Sequence, residues 1–139
     1  MTAILASDTA ECGVFEAIFT ALDGASQDVV GPAKPCLLVI PIRNEYATVV
    51  GGLWGVTLFG WLQVQMLFVP QTMRGQGLGS ALMAAAETEA RVRGCVGIYV
   101  DALSFQATPF YEKLGFSIFG TLHDCPPGHQ RVFLQKPLT

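Results

Sequence analysis

The chain has 139 residues, of which 51% are apolar and only 14% are charged, and its formal net charge is −3. This length suits one domain with a core that needs no disulfide or metal, so residues 1–139 are predicted to form a single domain. The acidic balance argues against a nucleic-acid partner, which usually meets a basic surface. The low charge also raises the question of a membrane span, because residues 46–73 carry no charged side chain.

The uncharged stretch is long enough to cross a bilayer as a helix, but its composition is typical of strands. It contains several glycines, and its apolar side chains are largely β-branched or aromatic. We therefore interpret it as two buried strands that meet at Gly60. The first residues show neither the basic start nor the unbroken apolar run of a secretory signal, which predicts a cytoplasmic protein with no membrane partner.

The cysteines and histidines do not predict a metal site. The 4 cysteines lie far apart in the chain and show no spacing typical of zinc ligands. Without a secretory signal they are expected to be reduced thiols. The 2 histidines flank a Pro-Pro-Gly turn, where surface loop residues are common.

Hydrophobic periodicity and turn residues predict alternating helices and strands along the whole chain. In chain order they are a helix over 9–27 in one or two pieces, strands over 36–42, 47–59 and 61–69, a helix over 77–93, a strand over 96–100, a short helix within 104–114, and strands over 116–122 and 131–135. The short helix could begin at Ser104, or at Thr108 with Pro109 in its first turn. Hairpins together with helical crossovers predict a mixed α/β sheet with helices packed on its faces.

A glycine-rich turn between the third strand and the long helix is the segment most typical of a binding site. It reads RGQGLGS over residues 74–80. Glycines let the main chain approach a ligand closely, and the first N–H groups of a helix, with its dipole, attract anions. Arg74 adds a fixed positive charge. The turn predicts a phosphate or pyrophosphate ligand, although a turn without a ligand and a general nucleotide binder remain alternatives, since neither the P-loop nor the dinucleotide spacing is present.

Two motifs in this order resemble the GNAT superfamily of acetyl-CoA-dependent N-acetyltransferases. The first family motif is Gln or Arg, two residues, Gly, one residue, then Gly or Ala, and residues 74–79 match it at every fixed position. The second is N-x-x-A-x-x-x-Y-x-K-x-G-F, and residues 104–116 depart from it only at the start, where Ser104 replaces Asn. The resemblance covers roughly residues 36–136. It implies a mostly antiparallel sheet of six to seven strands with helices on both faces.

The resemblance implies that acetyl-CoA is the co-substrate. The glycine-rich turn would hold the pyrophosphate, and the strand before it would pair with the pantetheine arm. Ser104 stands where the family's Asn contacts that arm. Ala107 and Phe110 would line the arm. The full set of expected co-substrate contacts is Leu67, Phe68, Val69, Arg74, Gly75, Gln76, Gly77, Leu78, Gly79, Ser80, Ser104, Ala107, Phe110 and Lys113.

The resemblance also implies direct attack of a neutral amine on the thioester, with Tyr111 as general acid. A phenol with a pKa of about 10 stays protonated at neutral pH and can donate to a developing thiolate; a tyrosine that only packs in the core is the alternative. Many family members carry a Glu where this chain has Gln65, which is expected to contact the acceptor. No base is assigned, and Asp101 and a chain of waters are both candidates.

The predicted activity is therefore an N-acetyltransferase acting on a small-molecule or peptide amine. The acceptor is expected to enter from the side of residues 20–35 and 123–130, and a homodimer is left open. The alternative is a protein of the same fold that binds CoA without catalysis, as a sensor or interaction partner. Gln65 and Ser104 favour that alternative, whereas Tyr111 favours the enzyme.

Overall fold

The computed structural model describes residues 3–106 and 108–139. A first compact unit ends at Lys34, and a second runs from Pro35 to Thr139. The first unit contains one continuous helix, α1 (Val14–Val30). The predicted start at residue 9 is wrong, because Gly13 has a left-handed φ of 89° immediately before the helix. The Asp23 carboxylate in α1 accepts a 2.8 Å hydrogen bond from the main-chain N–H of Ala33, which lies beyond the end of the helix.

The second unit is a six-stranded sheet with two helices. Its elements are β1 (Cys36–Arg43), β2 (Val49–Leu58), β3 (Trp61–Phe68), α2 (Leu78–Val92), β4 (Gly97–Leu103), α3 (Thr108–Lys113), β5 (Ser117–His123) and β6 (Gln130–Pro137). The strand order is β1-β2-β3-β4-β6-β5, and all neighbours are antiparallel except β3 and β4. The predicted mixed, mostly antiparallel sheet is confirmed.

The uncharged stretch forms the β2–β3 hairpin, as predicted. The turn lies at Phe59 and Gly60, which both have positive φ. Every second residue of β3 near the turn is buried, with Leu62 and Val64 at 0% and 1% exposure. In the described part of the chain, the helices are all too short or too polar to span a membrane.

Helix α2 packs on the sheet through a narrow apolar stripe. Its buried side chains are Leu82, Met83, Ala86 and Ala90, and the two alanines allow a close approach to the fully buried sheet residues. Polar contacts fix the helix at its C-terminal half. Lys136 of β6 donates to Glu87 at 3.0 Å, and Arg93 donates to the Cys36 carbonyl at 3.3 Å. These contacts determine where the N-terminus of α2 lies.

Strands β3 and β4 pair only over their first halves. The parallel register runs from Trp61 opposite Gly97 to Val64 opposite Val100, although both strands continue for several residues. Just past that point β3 contains a bulge, because Gln65 is inserted between the residues that pair with Gly55 and Trp54 of β2. A bulge bends the strand that carries it. The two strands therefore separate, and a cleft opens between them.

The last elements differ from their predicted bounds for tertiary reasons. Strand β4 continues to Leu103, beyond the predicted end at residue 100, because residues 101–103 pair with β6. Helix α3 begins at Thr108 rather than at Ser104, which agrees with the alternative that places Pro109 in the first turn.

Candidate active site

The cleft between β3 and β4 has a volume of about 1010 Å³. It begins where the strands separate and continues past the glycine-rich turn to the start of α2, with α3 along one side. The lining residues are 64–69, 73–75, 77–80, 100–102, 105, 106, 110 and 111. An elongated ligand can therefore contact an open strand edge and a helix N-terminus at the same time.

The glycine-rich turn presents a run of unused main-chain donors. Gly75 and Gly77 have φ values of 78° and 79°, and this left-handed conformation favours glycine. The first main-chain hydrogen bond of α2 runs from Ala81 N–H to the Gly77 carbonyl. Within the described residues, the N–H groups of residues 75–80 donate to no protein acceptor. Successive free N–H groups at a helix N-terminus form an anion cradle.

Arg74 is held at the edge of this cradle. Its Nε donates to the Val69 carbonyl at 2.8 Å, and its guanidinium carbon lies 5.6 Å from the centre of the Phe68 ring. These contacts use one of the five N–H donors and one face of the group. The terminal nitrogens remain available for an anion in the cradle.

Gly79 allows α3 to approach the start of α2. A Cβ at this position would lie 3.3 Å from two ring carbons of Phe110, which is closer than ordinary carbon contacts. Phe110 also contacts Tyr111 edge-on, with 5.1 Å between ring centres. Gly79 thus serves the packing of the cleft wall, and Phe110 lines the cleft at that point.

Tyr111 is the titratable group that burial in the cleft wall affects most. Its side chain is 6% exposed and lies against the rings of Phe110 and Phe116. Burial, with a smaller contribution from the negative charge of Asp101, raises the pKa of Tyr111 to about 12. The phenol therefore stays protonated throughout the neutral range and can donate a proton.

Gln65 and Asp101 follow the last paired residues of β3 and β4, at the narrow end of the cleft. Gln65 is exposed and donates to Gln63 Oε1 at 3.4 Å. Asp101 accepts a 2.6 Å hydrogen bond from Arg131 Nε, and the two side chains form an ion pair. This hydrogen bond and the charge of Asp101 raise the pKa of Arg131. The pairing fixes the orientation of the Asp101 carboxylate at this end of the cleft.

Known proteins similar to this chain show the family to which it belongs. The model of the acetyltransferase (GNAT) family matches residues 10–116. The chain belongs to the acetyltransferase (GNAT) family. Acetyltransferase Atu2258 of Agrobacterium fabrum is 42% identical over 130 residues, 94% of this chain and 95% of that protein. Blasticidin-S acetyltransferase of Streptomyces morookaense is 41% identical over 96 residues, 68% of this chain and 71% of that protein.

A crystal structure from Agrobacterium tumefaciens shows the same fold. Its TM-score with this acetyltransferase is 0.88 at 40% identity, over 99% of this chain and 100% of the other. Family membership confirms the predicted fold, the enzyme class of N-acetyltransferases and acetyl-CoA as co-substrate. The anion cradle fits a pyrophosphate, and the open edge of β3 fits an extended amide-bearing arm.

Most of the residues predicted to contact the co-substrate line this one cleft of the acetyltransferase. The exceptions differ in kind. Ser104 lies outside the lining, and its Oγ accepts a 3.0 Å hydrogen bond from Gln130 N–H. Gln76 and Lys113 are exposed and are not part of the lining. Ala107 lies outside the described residues.

The structure also adds lining residues that sequence reasoning missed. Phe105 and Gln106 lie in the turn between β4 and α3, and both face the cleft. They fall inside the second family motif, but at positions where that motif allows any residue. Met73 joins them from the short 3-10 turn before Arg74. Only the folded chain shows which variable positions line the cleft.

Proposed function

We propose that this acetyltransferase transfers the acetyl group of acetyl-CoA to a neutral amine of a small molecule or peptide, with Tyr111 as general acid. The observation that carries the proposal is one cleft that contains both the anion cradle and a buried, protonated phenol. The relative named blasticidin-S acetyltransferase supports a small-molecule acceptor.

The glycine-rich turn is proposed to bind the pyrophosphate of acetyl-CoA. Its free N–H groups and Arg74 supply donors and positive charge. The pantetheine arm is proposed to lie along residues 67–69, since β3 has lost its β4 partner there and its main-chain groups on that side are open. The thioester then reaches the narrow end of the cleft, beside Tyr111.

The amine nitrogen attacks the thioester carbonyl carbon, forming the C–N bond while the C–S bond breaks. A main-chain N–H near the β3 bulge is the candidate donor to the negative charge that develops on the carbonyl oxygen. Tyr111 gives its proton to the departing sulfur and regains one from solvent. The proton released by the attacking nitrogen passes to water.

No side chain is proposed as the general base. Gln65 cannot accept a proton at neutral pH, although it can orient the amine through its amide oxygen. Asp101 is held by its hydrogen bond from Arg131, and this fixed position suits a role in orienting the amine. Hence the amine must be largely neutral when it enters, and the rate should rise with pH until the free amine predominates.

The family match runs from residue 10 to residue 116 and so includes parts of both compact units. This supports residues 1–139 as one acetyltransferase domain. The cysteines at 12, 36, 95 and 125 are all free thiols, which supports a cytoplasmic location.

Binding is tested by thermal unfolding with acetyl-CoA, CoA, ATP and NAD. A ligand at 100 times its Kd adds about 2.7 kcal/mol of stability, so acetyl-CoA and CoA should both raise the Tm clearly. Equal shifts with ATP or NAD would indicate a general nucleotide binder. No shift with acetyl-CoA would overturn the proposed function.

Catalysis is tested by thiol release over polyamines, aminoglycosides, amino acids and lysine peptides. Tyr111→Phe should lower kcat by about 100-fold or more, the usual contribution of a positioned acid, and leave the Kd for acetyl-CoA nearly unchanged. Tyr99→Phe is the matched control, because the Tyr99 ring contacts Trp61 edge-on and lies outside the cleft. Equal rates in the two variants would remove Tyr111 from the acid role.

A further inference from the structure

The turn between β4 and α3 presents a side-chain amide to the cleft. The main-chain N–H of Leu103 donates to Gln106 Oε1 at 2.9 Å, and the Gln106 N–H donates to the Leu103 carbonyl at 2.8 Å. Only the oxygen of an amide can accept from a main-chain N–H. This reciprocal pair therefore fixes which end of the Gln106 amide faces Leu103.

The other end of the amide is a free donor. Gln106 lines the cleft, and its Nε2 carries two N–H bonds. Within residues 3–106 and 108–139, Nε2 donates to no protein acceptor. A fixed donor in the wall of a largely apolar cleft suits a ligand that carries a carbonyl oxygen.

The turn that carries Gln106 is itself tied to β6. The Ser104 N–H donates to the Gln130 carbonyl at 2.7 Å, and the Ser104 hydroxyl accepts from the Gln130 N–H at 3.0 Å. The Phe105 ring stands edge-on to His129, with 5.0 Å between ring centres. These contacts hold the turn in place and engage the Ser104 hydroxyl away from the cleft.

We propose that Gln106 binds the pantetheine arm by donating a hydrogen bond from Nε2 to one of its amide carbonyls. This inference rests on the proposed binding of acetyl-CoA in the cleft. Ser104 then acts as a positioning residue that holds the turn, and Gln106 makes the contact with the ligand. The arm is a flexible chain with few polar groups. One hydrogen bond from a side-chain donor therefore strengthens its binding and fixes its position along β3.

Gln106→Glu removes the donor but keeps the hydrogen bond that supports the turn. A carboxylate oxygen still accepts from the Leu103 N–H, but a carboxylate has no N–H to donate. Titration calorimetry should show a Kd for acetyl-CoA weaker by about 3- to 10-fold, as expected for one neutral hydrogen bond. Binding of adenosine 3′,5′-bisphosphate, which lacks the arm, should stay within twofold of wild type. The KM for acetyl-CoA should rise in parallel.

Gln130→Ala is the matched control, since its side chain contacts His123 at 3.2 Å and does not line the cleft. Its Kd for acetyl-CoA should match that of wild type. Unchanged acetyl-CoA binding in Gln106→Glu would overturn the inference, and so would an equal loss with the arm-less nucleotide. Failure of wild type to bind acetyl-CoA would instead overturn the proposed function on which the inference depends.

Discussion

Burial and one nearby charge set the pKa of Tyr111, the proton donor proposed for this enzyme. Apolar rings around Tyr111 remove water from the phenol, and Asp101 adds a negative charge nearby; both raise its pKa. Either effect disfavours the phenolate, since a charged oxygen is poorly solvated there and repelled by a carboxylate. Tyr111 therefore remains protonated up to strongly alkaline pH.

Asp101→Asn should lower the pKa of Tyr111 from about 12, because the repelling charge is gone while the burial remains. The alkaline limb of the pH–rate profile should move to lower pH. Tyrosinate absorbance, measured against Tyr111→Phe, gives the pKa directly. Arg131→Gln is the contrasting variant, because it leaves the Asp101 charge unpaired and should not lower the Tyr111 pKa. An unaltered pKa in Asp101→Asn would show that burial acts alone.

At the scale of one element, α2 connects the anion cradle to the sheet. Its first N–H groups form the cradle, and its other end is held by Glu87 and Arg93. Burial raises the pKa of Glu87, but the hydrogen bonds and charges of Lys136 and Arg91 lower it below the usual range. The stability that ionised Glu87 adds to the folded state is therefore present above the ordinary pKa of a glutamate. It is lost as the pH falls through the lowered pKa of Glu87.

Gly77→Asp should weaken acetyl-CoA binding by 10-fold or more, because the new carboxylate would repel the negatively charged pyrophosphate in the cradle. A tenfold change in Kd corresponds to about 1.4 kcal/mol of binding free energy. Gly94→Asp is the matched control. It lies just past the other end of α2, with the same φ of 79°, so it carries the same backbone strain without touching the cradle. Calorimetric Kd values should separate the two variants, and equal affinities would contradict the placement of the pyrophosphate.

At the scale of the molecule, the sheet of the second unit supplies the core. Leu62, Ile98 and Leu134 are completely buried on three neighbouring central strands. They keep β3 and β4 paired below the point where the strands separate. The cleft can open only because this lower part of the sheet is firmly packed.

Leu62→Ala should reduce the free energy of unfolding by about 2–5 kcal/mol, since a buried leucine leaves a cavity when truncated. Leu37→Ala removes the same atoms from a side chain that is 54% exposed and should cost much less. Urea unfolding of both variants measures the difference. Similar losses would show that Leu62 does not belong to the structural centre.

Local signals in the sequence determined a great deal about this protein. The periodicity of residues 77–93, the β-branched run before it and the glycines of the turn each depend on nearby residues, so the strand–turn–helix unit and its anion cradle could be predicted. These features follow from local conformational preferences and from the spacing of chemical groups. Tyr111, in contrast, was indicated by the resemblance of the second motif to the GNAT superfamily.

Only the tertiary structure decided how those parts cooperate. The bulge at Gln65 exists because of its register with β2. The cleft exists because β4 stays paired with β6 as far as Leu103 but is no longer paired with β3 beyond Val100. Ser104 is engaged by Gln130, far along the chain, while Gln106 lines the cleft. The pKa of Tyr111, in α3, depends on burial and on Asp101 of β4. Contacts between distant segments set each of these properties, and such contacts form only when the chain folds.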